Sequence, residues 1–306
     1  MTDANYLVLL YYYFTDFLNP VQIWKEQQQF CKQYNFKGRI IISKEGLNGT
    51  ISGPVEDCKK YMQYVTNTMK LPVEFKQNNC PKHLFPKLSI KLKDEIIKIG
   101  ANVNTQKQTG IHLNPRQFQE LIQQDDVLLL DLRSNCEHQV GKFKNAITFD
   151  MTHMYQFPKI LENHNFLNKQ DNKEKKIITY CTGGIKCEKA SSFLMSKGFS
   201  KVYQLQGGII KYGNETDGKD FQGKCYVFDD RVTTSINQVN PCVISQCYIC
   251  KSSCDIMVNC MNTKCNLHTV ICNTCYQKYE HCCSSQCAQS KCKRNIYSDY
   301  HSIQST

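Results

Sequence analysis

The stretch Cys181–Cys187, which reads CTGGIKC, decides how this sequence is interpreted. It follows directly from an apolar run, IITY at residues 177–180, whose β-branched and aromatic side chains favour a strand. Beyond it, residues 188–197 (EKASSFLMSK) place apolar side chains at helical spacing. We therefore predict a loop between the end of a buried strand and the start of a helix, with Cys181 as its first residue.

The composition of this loop is that of an anion-binding cradle. Gly183 and Gly184 let the backbone curl, so amide N–H groups can turn towards Cys181, and the helix dipole adds partial positive charge. Lys186 adds a cation, so a thiol with an ordinary pKa of about 8.5 should ionise more readily here. We predict that Cys181 is the catalytic nucleophile. The predicted cradle consists of Thr182, Gly183, Gly184, Ile185 and Lys186.

Two alternatives stay open at this loop. Cys181 could be a small buried side chain at a strand end, but such a cysteine has no need of a glycine-rich cradle. Cys187, six residues further on, could resolve an oxidised Cys181 as a disulfide, or it could open the helix and pack inward. The helical position favours packing.

The surrounding elements predict an α/β and α+β chain of several domains. VLLLDL at residues 127–132 is continuously apolar, which indicates a strand buried on both faces of a parallel sheet with its active site at the carboxyl ends of the strands. Residues 1–105 predict a ferredoxin-like, acylphosphatase-like βαββαβ domain whose last strand is 87–92. We expect the parallel-sheet domain over 111–236 and a cysteine-rich region over 237–306.

Twelve of the 19 cysteines lie between Cys242 and Cys292. This sequence has no export signal at its start, so we expect a cytoplasmic protein with metal-bound thiolates rather than disulfides. Two CxxC pairs, Cys247–Cys250 and Cys272–Cys275, are close to zinc-ribbon spacing, and structural zinc suits thiolates best. The candidate ligands are Cys247, Cys250, Cys254, Cys260, Cys265, Cys272, Cys275, Cys282, Cys283 and Cys287; the spacing leaves open which of them share an ion.

The formal charge of +11 bears on possible partners. Residues 1–105 carry 14 Lys and Arg against nine Asp and Glu, and the excess is spread thinly, which argues against a duplex-DNA binder but allows tRNA. Lys87, Lys91 and Lys93 alternate with apolar residues, so one solvated face of a strand would carry all three. They are predicted to contact tRNA, or else only to keep the domain soluble. No apolar run is long enough to span a membrane.

Residues from about Leu113 to Tyr212 resemble a rhodanese domain, with DLR at 131–133, Glu137, GKFKNAI at 141–147, the CTGGIK loop and LQGGI at 205–209. The resemblance implies a reactive loop cysteine. The family's loop usually ends in arginine, whereas Lys186 is a point charge without the planar fork. Asp131 and Arg133 resemble a strand-end pair that supports the loop; an ordinary surface ion pair is the alternative.

Over nearly the whole chain, KEGLNGT at 44–50, CTGGIKCEKAS at 181–191, KCYVFDDRV at 224–232 and the cysteine-rich end are similar to the bacterial rhodanese-containing tRNA uridine hydroxylase family. That resemblance implies 5-hydroxylation of wobble uridine in tRNA, with molecular oxygen and prephenate as co-substrates. A plain sulfurtransferase and a non-catalytic zinc and RNA-binding module are the alternatives. The additional amino-terminal domain argues against the first, and the intact loop cysteine argues against the second.

Overall fold

The computed structural model describes residues 5–294, which form four sheets with their helices. The first sheet has five strands in the order β4-β1-β3-β2-β5, and two helices cover one of its faces. Its elements are β1 (Tyr6–Phe14), α1 (Pro20–Cys31), β2 (Lys37–Ser43), β3 (Gly46–Pro54), α2 (Val55–Gln63), β4 (Lys76–Cys80) and β5 (Leu88–Leu92). The first four strands have the ferredoxin-like, acylphosphatase-like arrangement that the sequence predicted.

The closing strand of this arrangement differs from the prediction. β4 closes it by pairing antiparallel with β1, whereas the predicted last strand is β5, an additional edge strand parallel to β2. β4 reads KQNNC and lacks an apolar alternation that would reveal a strand, although Lys76 and Cys80 are both buried. Its pairing with β1 decides its conformation rather than its own side chains.

The two faces of the first sheet have different neighbours. On β1, Leu9 and Tyr11 are fully buried against the helices. Leu10 and Tyr12 point to the opposite face because side chains alternate along a strand. That face meets the second domain, where Leu10 packs against that domain's core.

The second domain contains a five-stranded parallel sheet in the order β6-β11-β10-β7-β9. Its elements are β6 (Ile111–Leu113), α3 (Pro115–Leu121), β7 (Val127–Asp131), α4 (Asn135–Gln139), β8 (Gly141–Phe143), β9 (Ile147–Thr148), α5 (Phe157–Glu162), α6 (Gln170–Lys173), β10 (Lys176–Tyr180), α7 (Ile185–Ser196), β11 (Lys201–Leu205) and α8 (Gly208–Glu215). Separate apolar cores cover the two faces of this sheet. The parallel, doubly covered sheet is confirmed, and Cys181 directly follows its central strand.

The remaining chain adds two small sheets. β12 (Phe221–Tyr226) pairs with β8 and with β13 (Thr233–Ser235), which ties this part to the second domain. The cysteine-rich end holds β14 (Met257–Asn259), β15 (His268–Val270), α9 (Asn273–Lys278) and α10 (Ser285–Ala288). In the part of the chain that the structure describes, no helix has the length and apolarity required to cross a membrane.

Candidate active site and metal centres

The loop after β10 directs its amides towards the Cys181 sulfur. Gly184 adopts a positive φ of 98° as the residue before α7, a conformation that glycine reaches without strain. Its N–H lies 3.1 Å from Cys181 Sγ, and the N–H of Lys186 also donates to that sulfur. Two amides of the predicted cradle, those of Gly184 and Lys186, therefore face the sulfur, and the role of the whole loop as an anion cradle stays a prediction.

The carbonyls of the same loop point the other way, to the start of α8. The N–H of Ile209 donates to the Cys181 carbonyl at 3.0 Å, and the N–H of Ile210 donates to the Thr182 carbonyl at 3.1 Å. A Cβ on Gly208 would lie 2.5 Å from the Cys181 carbonyl oxygen, so only glycine allows this approach. These contacts hold the loop with its amides facing inward.

Opposing effects determine the ionisation of Cys181. Burial raises its pKa, but the hydrogen bond from the Cys187 thiol, the charge of Lys186 and the amides of Lys186 and Gly184 lower it to about 7. Burial and the neighbouring Cys181 raise the pKa of Cys187 well above its ordinary value. Near neutral pH Cys187 thus remains a thiol that donates to a Cys181 that is about half ionised, which suits a nucleophile. Cys187 is fully buried and packs inward.

Lys186 is paired rather than free. Its Nζ lies 2.8 Å from Glu137 Oε2, and Glu137 is 1% exposed. Ser134 donates to the same carboxylate oxygen through its N–H at 3.0 Å and its hydroxyl at 2.7 Å, while Thr182 Oγ1 lies 3.3 Å from the other oxygen. Glu137 therefore positions both the cation and the loop. Sequence reasoning noted it only within a family motif, although the Ser-x-x-Glu capping spacing at the start of α4 was visible.

Asp131 and Arg133 form a completely buried ion pair, with Arg133 Nη2 2.6 Å from Asp131 Oδ2. The same guanidinium donates to the carbonyls of Gly141 at 2.6 Å and Glu137 at 3.2 Å, and the Tyr180 hydroxyl donates to Asp131 at 2.6 Å. The surface alternative does not hold because neither side chain is exposed. The pair joins the ends of β7 and β10 beneath the loop.

The amino-terminal domain covers the loop, which the sequence did not predict. A Cβ on Gly183 would lie 2.8 Å from a Leu10 methyl, and one on Gly184 would lie 2.9 Å from the Tyr12 hydroxyl. Cys181 is consequently only 1% exposed. Both glycines are required by the close approach of β1 as well as by the curl of the loop.

A second buried carboxylate, Glu188 on α7, connects the two domains. Its Oε1 accepts from Tyr12 at 3.0 Å and lies 2.8 Å from His112 Nε2; its Oε2 accepts from Thr109 at 2.8 Å and Gln204 at 3.1 Å. Burial raises the pKa of Glu188, but these contacts, led by the His112 hydrogen bond, lower it overall. Sequence reasoning missed this network because its members are distant in sequence.

The three lysines predicted to contact tRNA are exposed: Lys91 lies on β5, and Lys87 and Lys93 directly precede and follow it. They are called the β5 lysines below. The strand pairings place Lys91 in one cross-strand row with Ile41, Asn48 and Tyr12. Lys87, Lys91 and Lys93 therefore lie on the sheet face that covers the Cys181 loop, about three strand spacings or ~14 Å from β1.

The cysteine-rich end forms two groups of four thiols. Within each group the sulfur atoms lie within 4.8 Å of one another, and each group can hold a metal ion. The first contains both CxxC pairs, Cys247, Cys250, Cys272 and Cys275; the second contains Cys260, Cys265, Cys283 and Cys287. The two groups alternate along the chain. The first two cysteines of the second group lie in the sequence between the two halves of the first group, and the last two of the first group lie between the two halves of the second.

Two of the ten candidate ligands fall outside these groups. Cys254 is 8% exposed and its sulfur accepts the N–H of Ile256 at 3.4 Å, while Cys282 is fully buried. Both pack in the apolar cluster with Met257 and Val258. Eight of the ten candidates thus form groups that can hold a metal ion, and the assignment of ligands stays a prediction.

Comparisons with known proteins agree with this architecture. Residues 6–96 match the UPF0176 acylphosphatase like domain, 114–215 the Rhodanese-like domain and 222–288 the Rhodanase C-terminal. A tRNA uridine(34) hydroxylase of Cytophaga hutchinsonii is 48% identical, covering 92% of this chain and 90% of that protein. Proteins of the same name from Onion yellows phytoplasma and Staphylococcus saprophyticus are each 37% identical over 94% and 98% of this chain and 94% of their own lengths. The chain belongs to the tRNA uridine(34) hydroxylase family.

Proposed function

We propose that this protein hydroxylates the wobble uridine of tRNA to 5-hydroxyuridine and that Cys181 is the required catalytic group. The observation that carries the role of Cys181 is its sulfur environment, in which two amides, a thiol and a cation oppose burial and bring the pKa to about 7. Family membership, through relatives named tRNA uridine(34) hydroxylase, supports the reaction. Molecular oxygen and prephenate are part of the proposal as co-substrates on the basis of the family alone.

The other residues of the site act on Cys181 in this proposal. The loop from Thr182 to Lys186 stabilises negative charge on or next to the sulfur, because its amides point to the position where that charge develops. Glu137, Asp131 and Arg133 hold the loop in place. Cys187 is proposed as a hydrogen-bond donor to the thiolate, and a resolving role is the alternative.

Zinc is the proposed metal of both cysteine groups. Tetrahedral zinc with Zn–S bonds of about 2.3 Å requires S···S separations of about 3.8 Å. The sulfur pairs Cys250–Cys272, Cys265–Cys283 and Cys283–Cys287 are 3.7, 3.7 and 3.8 Å apart. The donor sets therefore fit zinc, which would stabilise an end of the chain that has two short strands and two short helices.

tRNA is the proposed macromolecular substrate, and the β5 lysines are proposed to bind its phosphates. Their position on the sheet face that covers the Cys181 loop supports this proposal. An RNA strand whose phosphates bind these lysines could place a nucleotide at the loop. A cytoplasmic location is proposed too. None of the 19 cysteines is paired in a disulfide, which suits a reducing compartment.

We propose domain boundaries in the segment 93–110 and near residue 236. β5 ends at Leu92 and β6 begins at Ile111. The pairing of β12 with β8 supports keeping residues 221–226 with the second domain.

A rhodanese-type sulfurtransferase is the rival function, because the loop alone could carry a persulfide. The two functions separate in one pair of assays on wild type and Cys181→Ser. Mass spectrometry of tRNA nucleosides from a deletion strain measures 5-hydroxyuridine, and thiosulfate:cyanide transfer by the purified protein measures sulfur transfer. Hydroxyuridine restored by wild type and not by Cys181→Ser supports the proposal. Restoration by Cys181→Ser at the wild-type level refutes it.

A further inference from the structure

In the described part of the chain, the buried lysine and arginine residues form ion pairs with one exception. Among residues 5–294, three cationic side chains are buried: Lys76, Arg133 and Lys189. Arg133 pairs with Asp131, and Lys189 lies 2.8 Å from Glu45 and 2.6 Å from Glu95. Lys76 is 7% exposed, yet within the described part of the chain its ammonium has no carboxylate within 4.0 Å and donates no hydrogen bond.

The Lys76 side chain is buried, but its Nζ is not one of the buried polar atoms that lack a partner, so the ammonium end reaches the surface. A cation at that position without an ion pair can bind an anionic ligand. Lys76 Nζ lies 4.8 Å from the centre of the Tyr12 ring. Burial lowers the pKa of Lys76, and the nearby Glu74 opposes this shift. A ligand with an anionic oxygen would provide the missing partner.

The position of Lys76 relates it directly to the Cys181 loop. Lys76 pairs with Leu10 in the register of β4 and β1, so both side chains lie on the same sheet face. Leu10 packs against Gly183, and the hydroxyl of Tyr12 approaches Gly184. Lys76 thus lies at the same edge of the loop as the two side chains that cover it.

The neighbouring cation is already neutralised. Lys211, whose side chain packs over Gly207, forms an ion pair with Glu74 and lies 3.8 Å from Glu215. Lys186 is held by Glu137. Lys76 is consequently the cation at this edge that has charge available for a ligand.

We propose that Lys76 binds an anionic oxygen of the substrate, a phosphate or a carboxylate, at the mouth of the Cys181 loop. The proposal rests on the proposed function in that Cys181 is taken as the reacting group. In this proposal Lys76 is a substrate-binding residue, and the contact with the Tyr12 ring positions its ammonium.

The first test compares alkylation of Cys181 by anionic iodoacetate and by neutral iodoacetamide, each measured by peptide mass spectrometry. A single charge ~8 Å away at an effective dielectric constant of about 20 should favour the anionic reagent by about thirtyfold. Lys76→Met keeps the apolar stem and should lower the iodoacetate:iodoacetamide rate ratio by about that factor, and Lys76→Arg should retain most of it. Lys60→Met is the matched control, since Lys60 lies 5.2 Å from the Tyr34 ring on the opposite, helical face.

The second test measures the melting temperature in inorganic phosphate, malonate and chloride at equal ionic strength. Wild type and Lys60→Met should be stabilised by phosphate or malonate, and the more effective anion identifies a phosphate or a carboxylate ligand. Lys76→Met should lose this response while melting in chloride near the wild-type temperature, because the buried apolar stem is kept and only a cation without an ion pair is removed.

Two outcomes would overturn the proposal: an unchanged alkylation ratio in Lys76→Met, or a wild type that neither anion stabilises. The proposal would also be overturned if Lys76→Met melted at a lower temperature in chloride and kept its anion response. That result would mean that the contact of Lys76 with the Tyr12 ring only stabilises the fold. None of these readouts requires hydroxylation. The Lys76 proposal can therefore fail while the proposed function stands, and the proposed function can fail while Lys76 still binds an anion.

Discussion

Replacing Cys187 tests how the structure ionises Cys181. The Cys187 thiol donates to the Cys181 sulfur, and this hydrogen bond is the largest of the effects that lower the Cys181 pKa to about 7. A hydrogen bond to a charged group contributes about 1.5–3 kcal/mol, which corresponds to roughly one to two pKa units. Cys187→Ala should therefore move the midpoint of Cys181 ionisation from about 7 to between about 8 and 9.

The consequence at neutral pH is large. The thiolate fraction at pH 7 should fall from about one half to between about a tenth and a hundredth, so Cys181 alkylation and tRNA hydroxylation should slow by about fivefold to fiftyfold. The sign follows from the lowered pKa: reactivity appears as pH rises through the midpoint, so the loss in Cys187→Ala should disappear above about pH 9.5. Cys187→Ser, which retains a hydroxyl donor, should keep a midpoint close to wild type.

The measurement is the pH dependence of iodoacetamide alkylation at Cys181 by peptide mass spectrometry, beside the hydroxylation rate of the same variants. An unchanged midpoint in Cys187→Ala would refute the hydrogen-bond argument. Loss of hydroxylation at every pH, equal to that of Cys181→Ser, would instead favour the resolving-thiol role.

The remaining predictions concern the nucleophile, the metal sites and the tRNA surface. Cys181→Ser should abolish hydroxylation with a melting temperature near wild type, because oxygen replaces a buried sulfur with little change in volume; an active variant would contradict it. Elemental analysis should find about two zinc ions per chain. Cys250→Ser should lose about one, whereas Cys254→Ser, which changes a thiol outside both groups, should keep both; a purified wild type with less than about half an equivalent of any transition metal and a protease-resistant end would rule out the metal sites. The triple alanine variant of Lys87, Lys91 and Lys93 should weaken tRNA binding and reduce the salt-dependence slope by about one unit for each phosphate that a lysine no longer binds. Alanine at Lys25, Lys32 and Lys60, on the helices of the opposite face, is the matched control, and equal slopes for the two variants would assign the β5 lysines to solubility.

The sequence by itself determined the features whose causes are local. An apolar strand, two glycines and a helical pattern within about 20 residues are enough to predict the Cys181 loop, since the backbone conformation depends on those residues themselves. The pairing of Cys247–Cys250 with Cys272–Cys275 was suggested by spacing for the same reason. Alternating side chains on β5 likewise predicted the exposed lysines.

Only the tertiary structure decided the features that depend on distant contacts. β4 is a strand because β1 offers it hydrogen bonds, and its sequence KQNNC contains no sign of this. Tyr12 and Glu188 meet across 176 positions of the chain, so neither their network nor the cover over Cys181 has a signature in a local pattern. The separation of Cys254 and Cys282 from the eight clustered thiols also required the fold. A ligand is distinguished from a buried thiol by where its sulfur points, which packing decides and spacing does not.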